Sequence, residues 1–202
     1  MKVIWIDTET GGIDPKVHGL IQLAYLVDIN GTIVKEGTLY SNCAGKSYNE
    51  KALQINNFTV EQVKTFPPPE MMYKELKNVL NQFVNPFDKV RENKFYFGGY
   101  NADFDFKFIH QLWLDNSDEY LFAYFNHGFL DPAAMVRFLQ YGRHDIPAGI
   151  KLGQLAEYFQ VKPAGSLHDA MTDIKLTRDI TTEIIARYIR VRARARTPLE
   201  AI

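Results

Sequence analysis

The chain has little cysteine, no excess of either charge and no long apolar run. A single cysteine, Cys43, in 202 residues excludes an internal disulfide framework and suits a reducing compartment. Lysine and arginine number 23 against 24 acidic residues, a net charge of −1. The total charge therefore points to neither nucleic acid nor membrane, although a local patch can act without moving the sum. No apolar stretch approaches the ~20 residues of a membrane-spanning helix. The opening "MKVIWIDTE" reaches its first acids too early for a signal peptide. Repeats, low-complexity tracts and composition shifts are also missing. The expectation is one domain over residues 1–202, with a short basic C-terminal helix end, in the cytoplasm and with no membrane partner.

What is present begins with "WIDTET", residues 5–10. Val3 to Ile6 form a continuous apolar segment, the pattern of a strand covered on both faces, predicted over about 2–6. Asp7 and Glu9 follow it, two apart, so on a strand both point to one side. Burying carboxylates costs free energy unless something pairs with them, and no lysine or arginine is adjacent.

The rest of the chain supplies a frame. "LIQLAYLVDINGTIVKEGTLY" reads as a hairpin around Asn30-Gly31. A short helix is predicted over 49–57, a turn over 60–65 and a helix over 70–84 after the stiff "PPP". "KFYFGGY" reads as a strand and "HGFLD" as a short one. Helices are predicted over 103–115, 132–140, 151–159 and 168–195. Early strands followed by strands alternating with helices indicate an α/β mixed sheet flanked by helices.

Two further acids break apolar patterns from the inside. Phe104, Phe108, Ile109, Leu112 and Trp113 mark one face of the 103–115 helix. Asp105 points to that face, whereas Asp103 aligns with Lys107 on the wet side. In the last helix Ala170, Ile174, Thr177, Ile180, Ile184 and Tyr188 form the buried stripe. Asp173 falls inside it, Asp169 at its edge and Asp179 opposite. His168 stands five residues before Asp173. An oxygen-only cluster of Asp7, Glu9, Asp105 and Asp173 suits hard divalent cations, Mg²⁺ or Mn²⁺.

"DTE" (Asp7, Glu9), "NADFD" (Asn101, Phe104, Asp105) and "HDAMTD" (His168, Ala170, Asp173) resemble the three motifs of the DEDDh 3′→5′ exonucleases, which include the proofreading epsilon subunits of bacterial DNA polymerases. The resemblance spans about residues 1–190. It implies an RNase H-like fold with a mixed five-stranded sheet and two divalent metals. It also implies release of nucleoside 5′-monophosphates from a 3′ end. By the same resemblance Asp7 bridges both metals, Glu9 and Asp173 complete the tighter site, and Asp105 acts largely through water. His168 is the general base, a role that suits an imidazole because it titrates near neutrality.

Thr10, Gly11, Asn101 and Phe104 are the candidate substrate contacts. Gly11 and Gly12 allow a backbone to approach a terminal nucleotide. Phe104 is placed to stack on a base, although its apolar face also suits the core. The family more often has threonine at Gly11 and histidine at Tyr100. "AGKS" at 44–47 is no P-loop, since Tyr40 stands where the motif requires glycine. Arg187, Arg190 and Arg194 share a helical face, as phosphate contacts or as cations at a helix C-terminus.

The expected activity is 3′→5′ hydrolysis of single-stranded DNA. RNA or short oligoribonucleotides are the alternative substrate, and a catalytically silent nucleic-acid-binding module is the alternative of another class. A Ca²⁺-binding structural protein would leave His168 without a role. Single-stranded nucleic acid is the expected partner. Polymerase association is possible for the family but nothing in this sequence indicates it.

Overall fold

A computed structural model describes residues 1–142, 146, 148–165 and 169–194. Its centre is a five-stranded sheet in the order β3-β2-β1-β4-β5. The strands are β1 (Lys2–Thr10), β2 (Leu20–Ile29), β3 (Thr32–Tyr40), β4 (Phe95–Gly98) and β5 (Phe125–Leu130). β1 to β3 form an antiparallel meander, and β4 and β5 run parallel to β1 and to each other. This is the mixed α/β sheet the sequence predicts. The hairpin turns at Asn30 and Gly31, with φ of 54° and 89°, the left-handed conformations an Asn-Gly turn supplies.

The helices are α1 (Glu50–Ile55), α2 (Val60–Thr65), α3 (Pro69–Phe83), α4 (Asp103–Asp115), α5 (Pro132–Gly142), α6 (Leu152–Phe159) and α7 (Ala170–Arg194). Where the sequence suggested a turn over 60–65, the structure has α2. Its signal was a capping box: the Thr59 hydroxyl accepts the Gln62 amide and the Gln62 side chain accepts the Thr59 amide. The first strand also runs beyond the predicted 2–6, to Thr10. The apolar run stops at Ile6, but the backbone ladder to β2 continues through Asp7↔Ala24 and Glu9↔Gln22. Side-chain polarity does not terminate a ladder made of backbone groups.

Each face of the sheet has its own core. Ile4 and Ile6 pack with Leu76 and Leu80 of α3 and with Ile109 and Trp113 of α4. Val3 and Trp5 pack with Ala24, Leu26, Ala170 and Ile174 on the α7 side. Gly98 lets the Trp5 ring lie against β4, because a Cβ there would stand 2.4 Å from it. Phe106, outside the predicted stripe of α4, is 8% exposed because it packs on Phe97, Phe125 and Phe129. No described helix is long and apolar enough to cross a membrane.

α7 is fastened to the sheet by two ion pairs, Lys175 Nζ with Glu36 Oε1 of β3 at 3.1 Å and Arg178 with Asp28 of β2. Arg178 Nε donates to Asp28 Oδ2 at 2.8 Å and its Nη2 donates to the Gly31 carbonyl at 2.7 Å. Asp28 is 6% exposed. Arg178 lies five residues after Asp173, so this contact helps to hold the first turns of α7 in place against the β2–β3 hairpin.

Candidate active site

β1 delivers its side chains alternately to the two cores. Even-numbered Ile4 and Ile6 face α3 and α4, and odd-numbered Val3 and Trp5 face α7. Carried forward, Asp7 and Glu9 face α7 while Thr8 faces α4. Both consequences are present. Asp7, Glu9 and Asp173 each place a carboxylate oxygen within 4.8 Å of the others. Thr8 Oγ1 donates to Asp105 Oδ1 at 2.7 Å. One strand therefore gathers acids from two helices, each in the first turn of its helix, where the helix dipole favours negative charge.

The acids crowd one another. Burial pushes Asp7 well above the ordinary carboxylate range, and the charges of Asp105, Glu9, Asp173 and Asp169 push it further. Burial, with Asp173, Asp105 and Asp169, raises Glu9 to about 7. Burial raises Asp105 to about 7 even though the Thr8 hydroxyl pulls it down. Glu9 is 9% and Asp105 3% exposed. Among the described residues, no lysine or arginine forms an ion pair with Asp7, Glu9 or Asp105. Oxygen donors held together against their own repulsion fit a hard divalent cation. Ligand oxygens on one Mg²⁺ stand at most about 4.2 Å apart, so three oxygens within 4.8 Å of one another are near enough to share an ion after small side-chain movements.

Three supporting residues were not singled out from the sequence as part of the site. Thr8 breaks no apolar pattern, since threonine is an ordinary strand residue. Asp169 accepts the Thr172 amide and hydroxyl at 3.0 and 2.9 Å, and its charge acts on Asp7 and Glu9. Asp131, just after β5, accepts the amides of Asn101 at 3.2 Å and Ala133 at 2.9 Å, and its charge acts on Asp105. An N-cap aspartate signal of this kind is readable in "LDPAA" and "HDAMT".

The candidate substrate contacts fare differently. The Thr10 hydroxyl donates to the Gly12 carbonyl at 2.6 Å, and Thr10 is 7% exposed. Gly11 is buried, its amide donating to Gly19 and its carbonyl accepting from Asn49, both at 2.8 Å. A Cβ on Gly11 would stand 2.7 Å from Tyr48 Cβ, so close packing against residues 47–48 requires the glycine there. Asn101 is exposed and left-handed, with φ of 54°. Phe104 is half-buried, packed against the core with its ring 5.0 Å from that of Phe108.

His168 lies outside the described residues. Of the C-terminal arginines, Arg187 donates to the Phe159 carbonyl at 2.8 Å, covers the Phe159 ring and pairs with Glu183, so it ties α7 to α6. The side chains of Arg190 and Arg194 lie outside the description.

Comparison with known proteins places this geometry. The Exonuclease family model, RNase_T, matches residues 4–181. No curated protein matches the chain significantly. Among solved structures, E. coli exonuclease I in its zinc-bound complex with single-stranded DNA superposes with a TM-score of 0.72 at 15% identity, over 96% of this chain and 42% of that one. The same enzyme with a dT13 oligonucleotide gives 0.71 at 16% identity, over 96% and 43%. Exonuclease I from Methylocaldum szegediense gives 0.72 at 18% identity, over 93% and 40%. The chain thus spans less than half the length of these enzymes and shares their fold. Specific likeness to the epsilon subunits rests on the sequence motifs. With the motif acids assembled on that fold and the family model covering most of the chain, this protein belongs to the exonuclease family.

Proposed function

We propose that this exonuclease removes nucleoside 5′-monophosphates from the 3′ end of single-stranded DNA, using two divalent cations, Mg²⁺ or Mn²⁺. The observation that carries the reading is the convergence of Asp7, Glu9 and Asp173 within 4.8 Å, with Asp105 coupled to Asp7 and Glu9 by charge. Asp7, Glu9, Asp105 and Asp173 hold the cations, whose four positive charges balance the four carboxylates. Bound there, two divalent cations supply Lewis-acid stabilisation to the attacking and leaving oxygens of a phosphodiester.

The chain's own residues do the rest. Asp7, in the field of all the other acids, would be the ligand shared between the cations, as the resemblance to the family implies. Thr8 fixes the rotamer of Asp105 and favours its ionised, ligating form. Asp169 holds the start of α7 and so the direction of Asp173. His168, five residues before Asp173, takes the proton from water as it attacks phosphorus. Phe104 and Asn101 border Asp105 and hold the terminal nucleotide. Single-stranded DNA is favoured because two of the similar exonuclease I structures hold single-stranded DNA.

The test is digestion of a 5′-labelled single-stranded oligonucleotide, as DNA and as RNA, with Mg²⁺, Mn²⁺ or EDTA, beside Asp7→Ala. A ladder shortening from the 3′ end, faster on DNA and abolished by EDTA and by the substitution, is expected. Faster shortening of RNA would reassign the substrate. Intact substrate with either metal, from folded protein that still binds the strand, would leave a silent binding module.

A further inference from the structure

α5 carries a feature the catalytic site does not use. Its inward residues Pro132, Ala133 and Val136 are buried. Its outward stripe, Ala134, Arg137, Phe138 and Tyr141, is exposed, with Phe138 at 79% and Tyr141 at 94%. The spacings of three and four put these residues on one face. Large aromatics left in water beside an arginine are unusual on a surface helix, where polar residues normally fill the outer face.

The position of this face gives it a purpose. β1, β4 and β5 are parallel, with Trp5 opposite Gly98 and Gly98 opposite Leu130. Their C-terminal ends therefore share one edge of the sheet, the edge that carries Asp7, Asn101 and Asp131. α5 starts there: Asp131 binds the amides of both Asn101 and Ala133 and acts by charge on Asp105. Arg137 is near enough for its charge to be felt at Tyr100. At a rise of about 1.5 Å per residue, Phe138 lies ~9 Å and Tyr141 ~14 Å along the helix from its first residue, Pro132. Beside the helix runs a groove of about 350 Å³, lined by Phe129, Asp131, Ala134, Phe138, Leu139 and Ile185 among others.

We propose that the exposed face of α5 is a stacking platform for the 5′-ward part of the single-stranded substrate, with bases on Phe138 and Tyr141 and a phosphate on Arg137. This rests on the reading of the acids as a 3′-end site. If the terminal phosphodiester lies at the acids, the remaining strand must leave along one side of them, and this face begins at their edge. Aromatic faces accept any base, and an interleaved cation neutralises phosphate. A platform of this length holds about two bases, so it gives the enzyme a preference for oligonucleotides longer than a dinucleotide without selecting sequence.

The test compares kcat/KM on thymidine dinucleotide and decanucleotide for the wild type and the Phe138→Ala/Tyr141→Ala double variant. Phe87→Ala, at an equally exposed phenylalanine (87%) beyond α3, is the control. The double variant is expected to lose roughly tenfold more on the decamer than on the dinucleotide, with the control keeping the wild-type ratio. A decamer carrying 5-iodouracil three nucleotides from its 3′ end should photo-crosslink within residues 132–142. Equal losses on both substrates, or a crosslink elsewhere, overturn the platform. An unchanged length preference with a dimer converted to monomer also overturns it and marks the face as a contact between copies. Failure of the wild type to shorten either substrate overturns the exonuclease reading itself.

Discussion

Two groups of buried carboxylates coexist in this molecule and are treated in opposite ways. Asp118, 7% exposed, accepts Lys77 Nζ at 2.7 Å, the Tyr73 hydroxyl at 2.8 Å and, through its other oxygen, the Tyr120 amide at 2.8 Å. Burial pushes its carboxyl up, but these donors together hold it below the usual range, and Lys77 is raised in return, chiefly by Asp118. Glu9 and Asp105 are comparably buried and Asp7 partly so, and all three are pushed the other way, above the usual range. Asp118 has its cation in the chain. Among the described residues no lysine or arginine pairs with Asp7, Glu9 or Asp105, and under the proposed function that uncompensated charge is the cost of a site kept for a divalent cation.

The comparison breaks most visibly at Asp7. Asp7→Asn is expected to reduce hydrolysis about 10³-fold and, in EDTA, to raise the melting temperature by several degrees, because it removes the most crowded charge. Single-turnover digestion and thermal unfolding in EDTA measure the two effects. A fall in stability would mean that the cluster is satisfied within the chain. Lys77→Met should do the reverse, costing about 1–3 kcal/mol in urea unfolding by stranding Asp118 and leaving the activity per folded molecule at the wild-type level.

The pH dependence sharpens the contrast. Glu9 and Asp105 titrate at about 7 in the folded protein and near 4 when unfolded. Between those values the folded state binds more protons than the unfolded one, so the stability of metal-free protein falls as pH rises. In EDTA the melting temperature should drop from pH 5 to pH 8. Mn²⁺ should restore it at pH 8 and have little effect at pH 5, where protons already occupy the carboxylates. Flat behaviour across that window would remove the physical basis for the metal assignment. Arg178→Met comes next in size, at about 2 kcal/mol, because it removes the cation paired with Asp28 and one of the two ion pairs that tie α7 to the hairpin. Its effect on hydrolysis should exceed that of Lys77→Met, since Asp173 rides on α7.

Much of this site is legible in the sequence, because an acid inside an apolar stripe is a contradiction that periodicity exposes. Asp105 within Phe104–Trp113 and Asp173 within Ala170–Ile184 are of that kind. The alternation of β1 further predicts that Asp7 and Glu9 share a side. The strand's true length was hidden, since its last four residues are polar or acidic and only the ladder to β2 continues it. The roles of Gly11 and Thr10 were also hidden. The packing of Gly11 against Tyr48 depends on a loop brought in from residues 43–49, which no local pattern reveals, and the Thr10 hydroxyl is taken up locally by the Gly12 carbonyl. Arg187 read more as a helix-end cation than as a phosphate contact, and became a tie to α6 only when Phe159 was placed beneath it.

Thr8 is the least conspicuous of these residues and gives the finest test. Its hydroxyl is the one side-chain donor to Asp105 among the described residues, and it favours the carboxylate over the acid. Thr8→Val keeps the shape and the β-branching of a strand residue and deletes only that donor. Asp105 should then titrate still higher, so the acidic limb of the pH–rate profile should move to higher pH and the rate at neutral pH should fall by several-fold. A neutral-neutral hydrogen bond would be worth about 1 kcal/mol and one to a carboxylate about 1.5–3, so the size of the loss reports which form of Asp105 the threonine serves. Thr8→Ser, which retains the donor, should restore the wild-type limb. If valine and serine behave alike, Thr8 only packs against α4, and Asp105 is oriented by the start of that helix alone.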